Sequence, residues 1–168
     1  MIVAYEVGKL GLKTCSKLFK NVFDRVLLPS SDNKIQIFSD GNDDYKTTIP
    51  KYYAENCVDY GQVIKIREGG KVIDKIKRIV YGSPCINEIE TTDIENMNSI
   101  FRERIGRLVR ETKCHSKKKP RLENAIELFQ FYWDFMDILH DNKTPAMIES
   151  LSYHVWSWDD FFMFNFAV

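Results

Sequence analysis

Two carboxylates in this sequence stand where a protein could hold a metal ion. Asp40 ends a short apolar run and precedes Gly41. A strand would fix such a carboxylate, and the glycine would let a substrate backbone approach. Glu95 follows residues 91–93, each of which favours a helix N-cap, so we expect it in the first turn of a helix. Acids held by rigid elements in this way are candidates for chemistry on a phosphate backbone beside a metal ion.

Both acids also have simpler explanations. Asp-Gly pairs end many strands because these residues favour turns, and acids in a first helical turn complement the helix dipole. Glu95 differs in its sequence surroundings, because Asn98 and Arg102 lie three and seven residues further on, along one helical stripe. The two acids therefore have to be weighed together with the segment that follows them.

The segment from residue 102 to residue 121 is strongly basic, with nine Lys and Arg against two acids. Its bases are Arg102, Arg104, Arg107, Arg110, Lys113, Lys117, Lys118, Lys119 and Arg121. Two acids cannot neutralise nine bases, so this basic track, residues 102–121, favours a nucleic-acid partner. The alternative is a solvated helix face held by i, i+4 pairs such as Glu103 with Arg107.

The chain as a whole has zero net charge, because 24 Lys and Arg balance 24 Asp and Glu. Residues 122–168 carry eight acids and one base, whereas residues 1–101 balance at fourteen of each. Blocks of opposite sign indicate one face for nucleic acid and another that is solvated or packs on protein.

The size and composition predict a folded protein. The chain has 168 residues, 44% of them apolar, which is enough to bury a core. Its four cysteines are irregularly spaced and indicate neither a zinc site nor a disulfide framework. Residues 1–8 are too few for a signal peptide or a membrane span, and Asp134 interrupts the aromatic run 129–135. These features predict a soluble, cytoplasmic protein with no membrane partner.

The apolar patterns predict mixed α and β structure. Residues 2–7 and 34–39 are short β-branched runs, and residues 60–67 and 71–81 are two longer ones separated by Gly69-Gly70; they predict two strands and a hairpin. Apolar residues at helical spacing predict a helix over residues 12–26. The region between the second strand and the hairpin is expected to be a loop.

Four further segments have helix signals. An apolar stripe at helical spacing is expected to face a core beside Glu95; it comprises Ile94, Met97, Phe101, Ile105 and Leu108. Residues 122–136 predict a largely buried helix. Thr144-Pro145 is typical of a helix start, and Ser157 begins a variant of the capping box before an aromatic segment.

Three segments together resemble a known family. They are the strand end FSDG, the segment YGQVIKIREGGKVIDKIKRIVYG and the segment TTDIENMNSIFRERIGRLVRETKCHSKK. They are similar to the DDE transposases of the founding bacterial insertion-sequence family, particularly its archaeal members. The similarity extends from Ile2 to the tail, where TPAMIESLSYHVWSWDDF resembles the end of such proteins.

The resemblance implies an α/β fold, a ribonuclease H-like mixed sheet flanked by helices. In that fold three acids bind two divalent ions, Mg²⁺ or Mn²⁺. Asp40 corresponds to the second acid, at the end of the fourth strand, and Glu95 to the third, on a helix; both would be catalytic residues and metal ligands. Residues after Glu95 would contact DNA. The DNA-binding residues so implied are Asn98, Arg102, Arg107, Arg110, Lys113, His115, Lys117 and Lys118.

The same resemblance implies an incomplete catalytic domain. Residues 2–8 correspond to the third strand of the fold, which would place the strand with the first catalytic Asp before Met1. We therefore expect a partial ribonuclease H-like domain over residues 1–119, without its first two strands, and a C-terminal helical extension over residues 120–168 that packs on it. The zinc-ribbon and helix-turn-helix region of such transposases is also expected to be absent.

These implications point to the C-terminal catalytic portion of a transposase, which cleaves DNA and transfers strands with divalent metal. Its partners would be insertion-sequence ends and target DNA, in the nucleoid, and it would act as a homo-oligomer or with the upstream-encoded part. One alternative is a non-catalytic DNA-binding or inhibitory fragment, because the first Asp is missing. Another is an unfolded relic.

Overall fold

A computed structural model describes residues 1–109, 111 and 113–164 of the chain. The described residues form two compact units. One unit, here called the sheet unit, comprises residues 4–101; the other, the helical unit, comprises residues 1–3 and 102–168. The division into a catalytic domain ending at residue 119 and a helical extension stays a prediction.

The sheet unit is built on a three-stranded mixed sheet. Its strands are β1 (Ile35–Asp40), β2 (Val58–Glu68) and β3 (Lys71–Tyr81), in the order β1-β2-β3. β1 runs parallel to β2, and β2 runs antiparallel to β3. The predicted second strand and hairpin are thus confirmed. Mixed α/β structure is also confirmed, whereas the ribonuclease H-like fold remains a proposal.

The hairpin turns through two glycines in the left-handed backbone region. Gly69 has φ 55° and Gly70 has φ 80°. Positive φ at both central residues matches the right-handed twist of the flanking strands and is costly for residues with a Cβ. This pair of glycines therefore fixes the register in which Glu68 faces Lys71.

Two helices pack with the sheet around an aromatic core. They are α1 (Leu12–Phe23) and α2 (Asp43–Thr48). The core cluster contains Phe19, Ile49, Tyr53, Val58 and Tyr60. The helix predicted over residues 12–26 is confirmed with a slightly earlier end. The predicted loop after β1 instead contains α2, because Asn42 caps it by accepting a hydrogen bond from the Asp44 amide at 3.0 Å.

The helix that carries Glu95 is α3 (Thr92–Arg104). The expectation that its apolar stripe faces a core was wrong for the helix itself, because no α3 residue is fully buried and Ile94 is 55% exposed. Ile105 is buried but has extended backbone angles (φ −110°, ψ 92°). The helix therefore stops at Arg104, and Gly106–Leu108 forms a 3-10 turn instead of a further helical turn.

The helical unit contains α4 (Lys119–Phe135), α5 (Pro145–Ile148) and α6 (Trp158–Met163). Both predicted helix starts are confirmed. Thr144 caps α5 by accepting from the Met147 amide, and Ser157 forms a capping box with Asp160. Aromatic rings hold the helices together; the rings of Phe131 and Phe161, for example, have centroids 4.5 Å apart. The expectation that α4 is largely buried is met only in part, because Ile126 and Asp134 are buried but Leu128 is 49% exposed.

The prediction of a strand over residues 2–7 is also wrong. This segment has no regular secondary structure. The Ile2 amide donates to the Asp134 carboxylate at 2.8 Å, and Gln130 Nε2 donates to the Ile2 carbonyl. Side chains of α4 thus satisfy the backbone N–H and C=O of Ile2, and this tertiary contact competes with strand formation at the start of the segment.

In the described part of the chain, helices long and apolar enough to cross a bilayer are not found.

Candidate metal and phosphate site

Asp40 and Glu95 line the same cavity of the sheet unit. The cavity has a volume of about 310 Å³. Its lining consists of Leu18, Phe38, Ser39, Asp40, Tyr45, Lys65, Thr91, Ile94, Glu95 and Asn98. Residues 55 positions apart in the sequence are therefore brought to one concave surface, with polar groups from the end of β1, from β2 and from the start of α3.

Asp40 is placed by the end of the parallel strand pair. It is the last residue of β1 and pairs in register with Val63 of β2. Its carboxylate Oδ1 accepts a hydrogen bond from the Asn42 amide at 3.3 Å, and its side chain is exposed. Crevices beyond the carboxyl ends of parallel strands are common ligand sites in α/β proteins. The Asp-Gly turn and the candidate ligand site thus coincide here.

A buried polar network supports the backbone under Asp40. The Ser39 hydroxyl donates to the Asp40 carbonyl at 2.8 Å and lies 2.8 Å from the Tyr60 hydroxyl. Gln62 Nε2 donates to the Tyr60 hydroxyl at 2.8 Å and to the Asn42 carbonyl at 3.1 Å. Tyr60 and Gln62 are fully buried. These bonds fix both the strand end and the cap of α2, and hence the position of the carboxylate.

Tyr45 of α2 lines the same cavity as Asp40. Burial raises the pKa of the Tyr45 phenol to about 12, and the negative charge of Asp40 contributes to the shift. The phenol is therefore neutral at neutral pH. It can donate a hydrogen bond to an anion or to water in the cavity, but it cannot serve as a base there.

Glu95 is held by one partner that directly precedes its helix and by one on the sheet. The Thr91 hydroxyl donates to Oε1 of Glu95 at 2.7 Å, and Lys65 Nζ lies 2.6 Å from the same oxygen. The hydrogen bond from Lys65, followed by that from Thr91, lowers the pKa of the Glu95 carboxyl. The carboxylate is thus ionised and oriented. Both of these contacts are made by Oε1, so Oε2 is available for another ligand.

The two carboxylates of the cavity are too few for an all-protein metal cage. Mg²⁺ prefers oxygen ligands and is often held by one or two carboxylates together with water and substrate phosphates. Asp40 and Glu95 provide such carboxylates. Among the residues that the structure describes, groups of three or more His, Cys, Asp or Glu able to hold a metal are not found. Lys65 competes with any cation for Oε1 of Glu95.

The structure distributes the predicted DNA-binding residues over both units. Asn98 lines the cavity with the two acids, and Arg102 lies on the same helix, α3. Arg107, Lys113, His115, Lys117 and Lys118 are exposed residues of the helical unit. Arg110 lies outside the described residues.

The basic track is largely unpaired in the described part of the helical unit. Lys119 lies 3.2 Å from Glu123, but no carboxylate partner is found there for Arg104, Lys113 or Lys117. The i, i+4 pair between Glu103 and Arg107 that would explain a solvated helix is likewise not formed among these residues, because α3 ends at Arg104. Arg104, Lys113 and Lys117 thus remain available to an external anion.

Sequence reasoning missed Lys65 and Tyr45 as parts of this site. Lys65 lies on β2, 30 residues from Glu95, and reaches it only because the sheet brings β2 beside the start of α3. Tyr45 lies on α2, in a region where the sequence predicts a loop. Thr91 could be found from sequence, because a threonine four residues before a first-turn acid is within reach of it.

No protein-family model matches this sequence, and neither the curated proteins nor the solved structures include a significantly similar chain.

Proposed function

We propose that this chain is the C-terminal catalytic portion of a DDE transposase, which acts on DNA with a divalent cation, Mg²⁺ or Mn²⁺. The observation that carries the proposal is the shared cavity of Asp40 and Glu95. The sequence resemblance assigns these two positions to the second and third acids of the family, and the fold gives them one concave surface. The ribonuclease H-like fold of the complete enzyme belongs to the same proposal.

The residues of the cavity have distinct parts in this reaction. Asp40 and Glu95 would hold the cation, which when bound activates a hydroxyl for attack on a phosphodiester and stabilises the leaving oxygen. Lys65 keeps Glu95 ionised and is positioned to contact a phosphate when Glu95 takes another partner. The neutral phenol of Tyr45 and the amide of Asn98 offer hydrogen-bond donors to phosphate oxygens.

The basic track supplies the DNA side of the proposal. Its exposed cations, among them Arg107, Lys113, Lys117 and Lys118, would contact phosphates of insertion-sequence ends and target DNA, and these contacts position a duplex without reading its sequence. DNA partners would associate the chain with the nucleoid. Assembly with a second copy or with an upstream-encoded part belongs to the same proposal.

The first experiment measures cation binding by this chain. Calorimetric titration with Mn²⁺ is expected to give one site that is weakened by Asp40→Asn and by Glu95→Gln. The matched controls are Asp43→Asn and Glu90→Gln, because these acids lie close by in sequence but outside the cavity lining. Equal Mn²⁺ binding by all four variants would rule out the proposed pair of ligands.

The second experiment tests the chemistry in a transposase that includes the first acidic strand. Strand transfer measured on a plasmid target is expected to fall by several orders of magnitude in Asp40→Asn and in Glu95→Gln, as is usual when groups that stabilise the transition state are removed. Retained strand transfer in both variants would overturn the catalytic assignment.

A non-catalytic DNA-binding fragment is the second candidate. It is favoured by the ion pair of Glu95 with Lys65, which gives this acid a structural partner without any metal, and by the unpaired cations of the basic track. This candidate predicts duplex binding with a steep salt dependence and no effect of Mn²⁺. Nicking of plasmid DNA by the chain in the presence of Mn²⁺ would exclude it.

A further inference from the structure

The helical unit contains a second cleft, distinct from the cavity of the sheet unit. Its volume is about 420 Å³, within the range of about 300–1,000 Å³ that is typical of sites for small organic ligands. Two arginines and three aromatic residues line much of it. They are Arg104, Arg107, Phe129, Tyr132 and Trp158, with Leu128 beside them.

The arginines make this cleft attractive to an anion. Among the described residues Arg104 has no carboxylate partner. The Arg107 guanidinium donates a hydrogen bond to the backbone carbonyl of Arg121 at 2.8 Å. Both arginines are exposed. A guanidinium presents several donors in a plane and suits the paired oxygens of a phosphate. The charge at this end of the cleft therefore complements a phosphate group.

The aromatic residues provide flat faces next to that charge. The rings of Tyr132 and Trp158 are nearly parallel, with an interplanar angle of 18° and centroids 6.4 Å apart. Trp158 is 43% exposed even though its ring contacts three others, those of Tyr132, Phe161 and Phe162. An exposed indole in a cleft offers a surface on which a planar, unpaired base can stack.

We infer that this cleft binds one nucleotide of a single DNA strand, with its phosphate on Arg104 and Arg107 and its base against Trp158 and Tyr132. A duplex buries its base faces in its own stack, so only an unpaired nucleotide can use both halves of the cleft. The inference rests on the proposed function in one respect, namely that DNA is the partner. It adds a preference for unpaired strands and requires neither Asp40 nor Glu95.

The test is fluorescence anisotropy with a labelled single-stranded oligothymidylate and, separately, a labelled duplex of equal length. Trp158→Leu keeps an apolar side chain but removes the ring, and is expected to weaken single-strand binding at least about 5-fold, as is usual for loss of one stacked base. Duplex binding is expected to stay unchanged. Trp158→Phe retains a ring and is expected to retain most of the affinity. Tyr153→Leu is the matched control, because Tyr153 is exposed and does not line the cleft.

A second variant tests the phosphate half and leaves the aromatic cluster intact. The double substitution Arg104→Gln, Arg107→Gln is expected to reduce the slope of log K against log salt for the single strand by about 0.7, since the two arginines share one phosphate and each neutralised phosphate contributes about 0.7. Lys9→Gln with Lys143→Gln removes the same charge from exposed positions outside the cleft. This pair of variants decides the question even if Trp158→Leu fails to fold.

The outcomes separate this inference from the proposed function. If the chain binds duplex DNA, and the cleft variants lose single-strand and duplex affinity equally or not at all, the nucleotide cleft is overturned and the proposed function stands. If the unaltered chain binds neither DNA, the DNA partner is overturned with it. Selective loss of single-strand binding in Trp158→Leu supports the inference, as does a single-strand loss in the arginine pair that exceeds its duplex loss, because both arginines also belong to the basic track proposed to contact duplex phosphates.

Discussion

Lys65 Nζ of β2 lies 2.6 Å from Oε1 of Glu95 on α3, and the Thr91 hydroxyl donates to the same oxygen at 2.7 Å. One carboxylate oxygen therefore receives two hydrogen bonds, one of them from a cation. This arrangement ties the start of α3 to the middle strand of the sheet.

The first prediction concerns the pKa of Glu95. Removal of the ammonium by Lys65→Met is expected to raise the Glu95 pKa towards its ordinary value, because the hydrogen bond from Lys65 is the largest cause of the depression. Carbon-detected NMR titration of the carboxyl groups measures the change. Lys71→Met is the control, since Lys71 lies on the same hairpin but has no contact with Glu95. An unchanged Glu95 pKa in Lys65→Met would contradict the assignment.

The same ion pair predicts how the stability difference between wild type and Lys65→Met depends on pH. The folded-state pKa of Glu95 is depressed, so the stabilisation is fully present above the ordinary glutamate pKa of about 4.3 and is lost as the pH falls through the folded-state pKa. Because the Glu95 side chain is 44% exposed, we expect only about 0.2–1 kcal/mol. Urea unfolding at several pH values measures this difference, and a gap that widens in acid would have the wrong sign.

The third prediction concerns competition between Lys65 and a divalent cation. Lys65→Met frees Oε1 of Glu95 and is expected to tighten Mn²⁺ binding up to about 5-fold. This factor corresponds to the upper end of the free energy typical of an exposed ion pair. Calorimetry on the metal alone measures the effect. Lys71→Met removes an equal charge from the same hairpin and is expected to change the affinity less. Weaker Mn²⁺ binding in Lys65→Met would show that Lys65 supports the cation site and does not compete for it.

The local parts of this fold could be predicted from the sequence. Alternating β-branched residues and the Gly69-Gly70 pair define the hairpin because the turn and the strand pattern agree. Thr144 and Ser157 mark helix starts through hydrogen bonds to amides three residues on. Signals of this kind depend only on neighbours in the chain, and the structure confirms the hairpin and both helix starts.

The parts that depend on distant contacts could not be predicted in the same way. Ile2 has the pattern of a strand residue, but its backbone bonds to Asp134, 132 positions away. The apolar stripe predicted a continuous helix with one face on a core. Instead no residue of α3 is buried, and the helix ends before Ile105, whose backbone is extended. At the candidate site the two acids were expected from sequence, whereas Lys65 was not. No local pattern distinguishes a lysine that reaches a carboxylate from one that reaches water.

The fourth prediction compares two buried tyrosines of the sheet unit. Tyr60→Phe removes the hydroxyl that bonds to Ser39 and Gln62 and is expected to cost about 1 kcal/mol or more, because buried polar partners lose a bond. Tyr53 is equally buried, but among the described residues its hydroxyl has no partner. Tyr53→Phe is therefore expected to be neutral or stabilising. Urea unfolding of both variants measures the contrast, and equal losses would mean that the network under Asp40 has no special role.

The last prediction concerns the contact between Gly61 of β2 and Ile89, which precedes α3. A Cβ at Gly61 would lie 2.6 Å from Cδ1 and 2.7 Å from Cγ1 of Ile89, which is fully buried. Gly61→Ala is therefore expected to cost about 1–3 kcal/mol of unfolding free energy. Gly106→Ala is the control, because a Cβ there meets no atom within 4 Å.

A double-mutant cycle decides whether this cost comes from the Ile89 side chain. Ile89→Ala removes the clashing atoms. The loss of unfolding free energy in the double variant with Gly61→Ala is therefore expected to be smaller than the sum of the two single losses, by about 0.5–3 kcal/mol. Strict additivity would assign the cost of Gly61→Ala to the strand backbone. Because Ile89 stands two residues before Thr91, the Glu95 pKa measured in Gly61→Ala also reports whether this packing positions the acid. A rise in that pKa is expected, since displacement of Thr91 lengthens its hydrogen bond to the carboxylate.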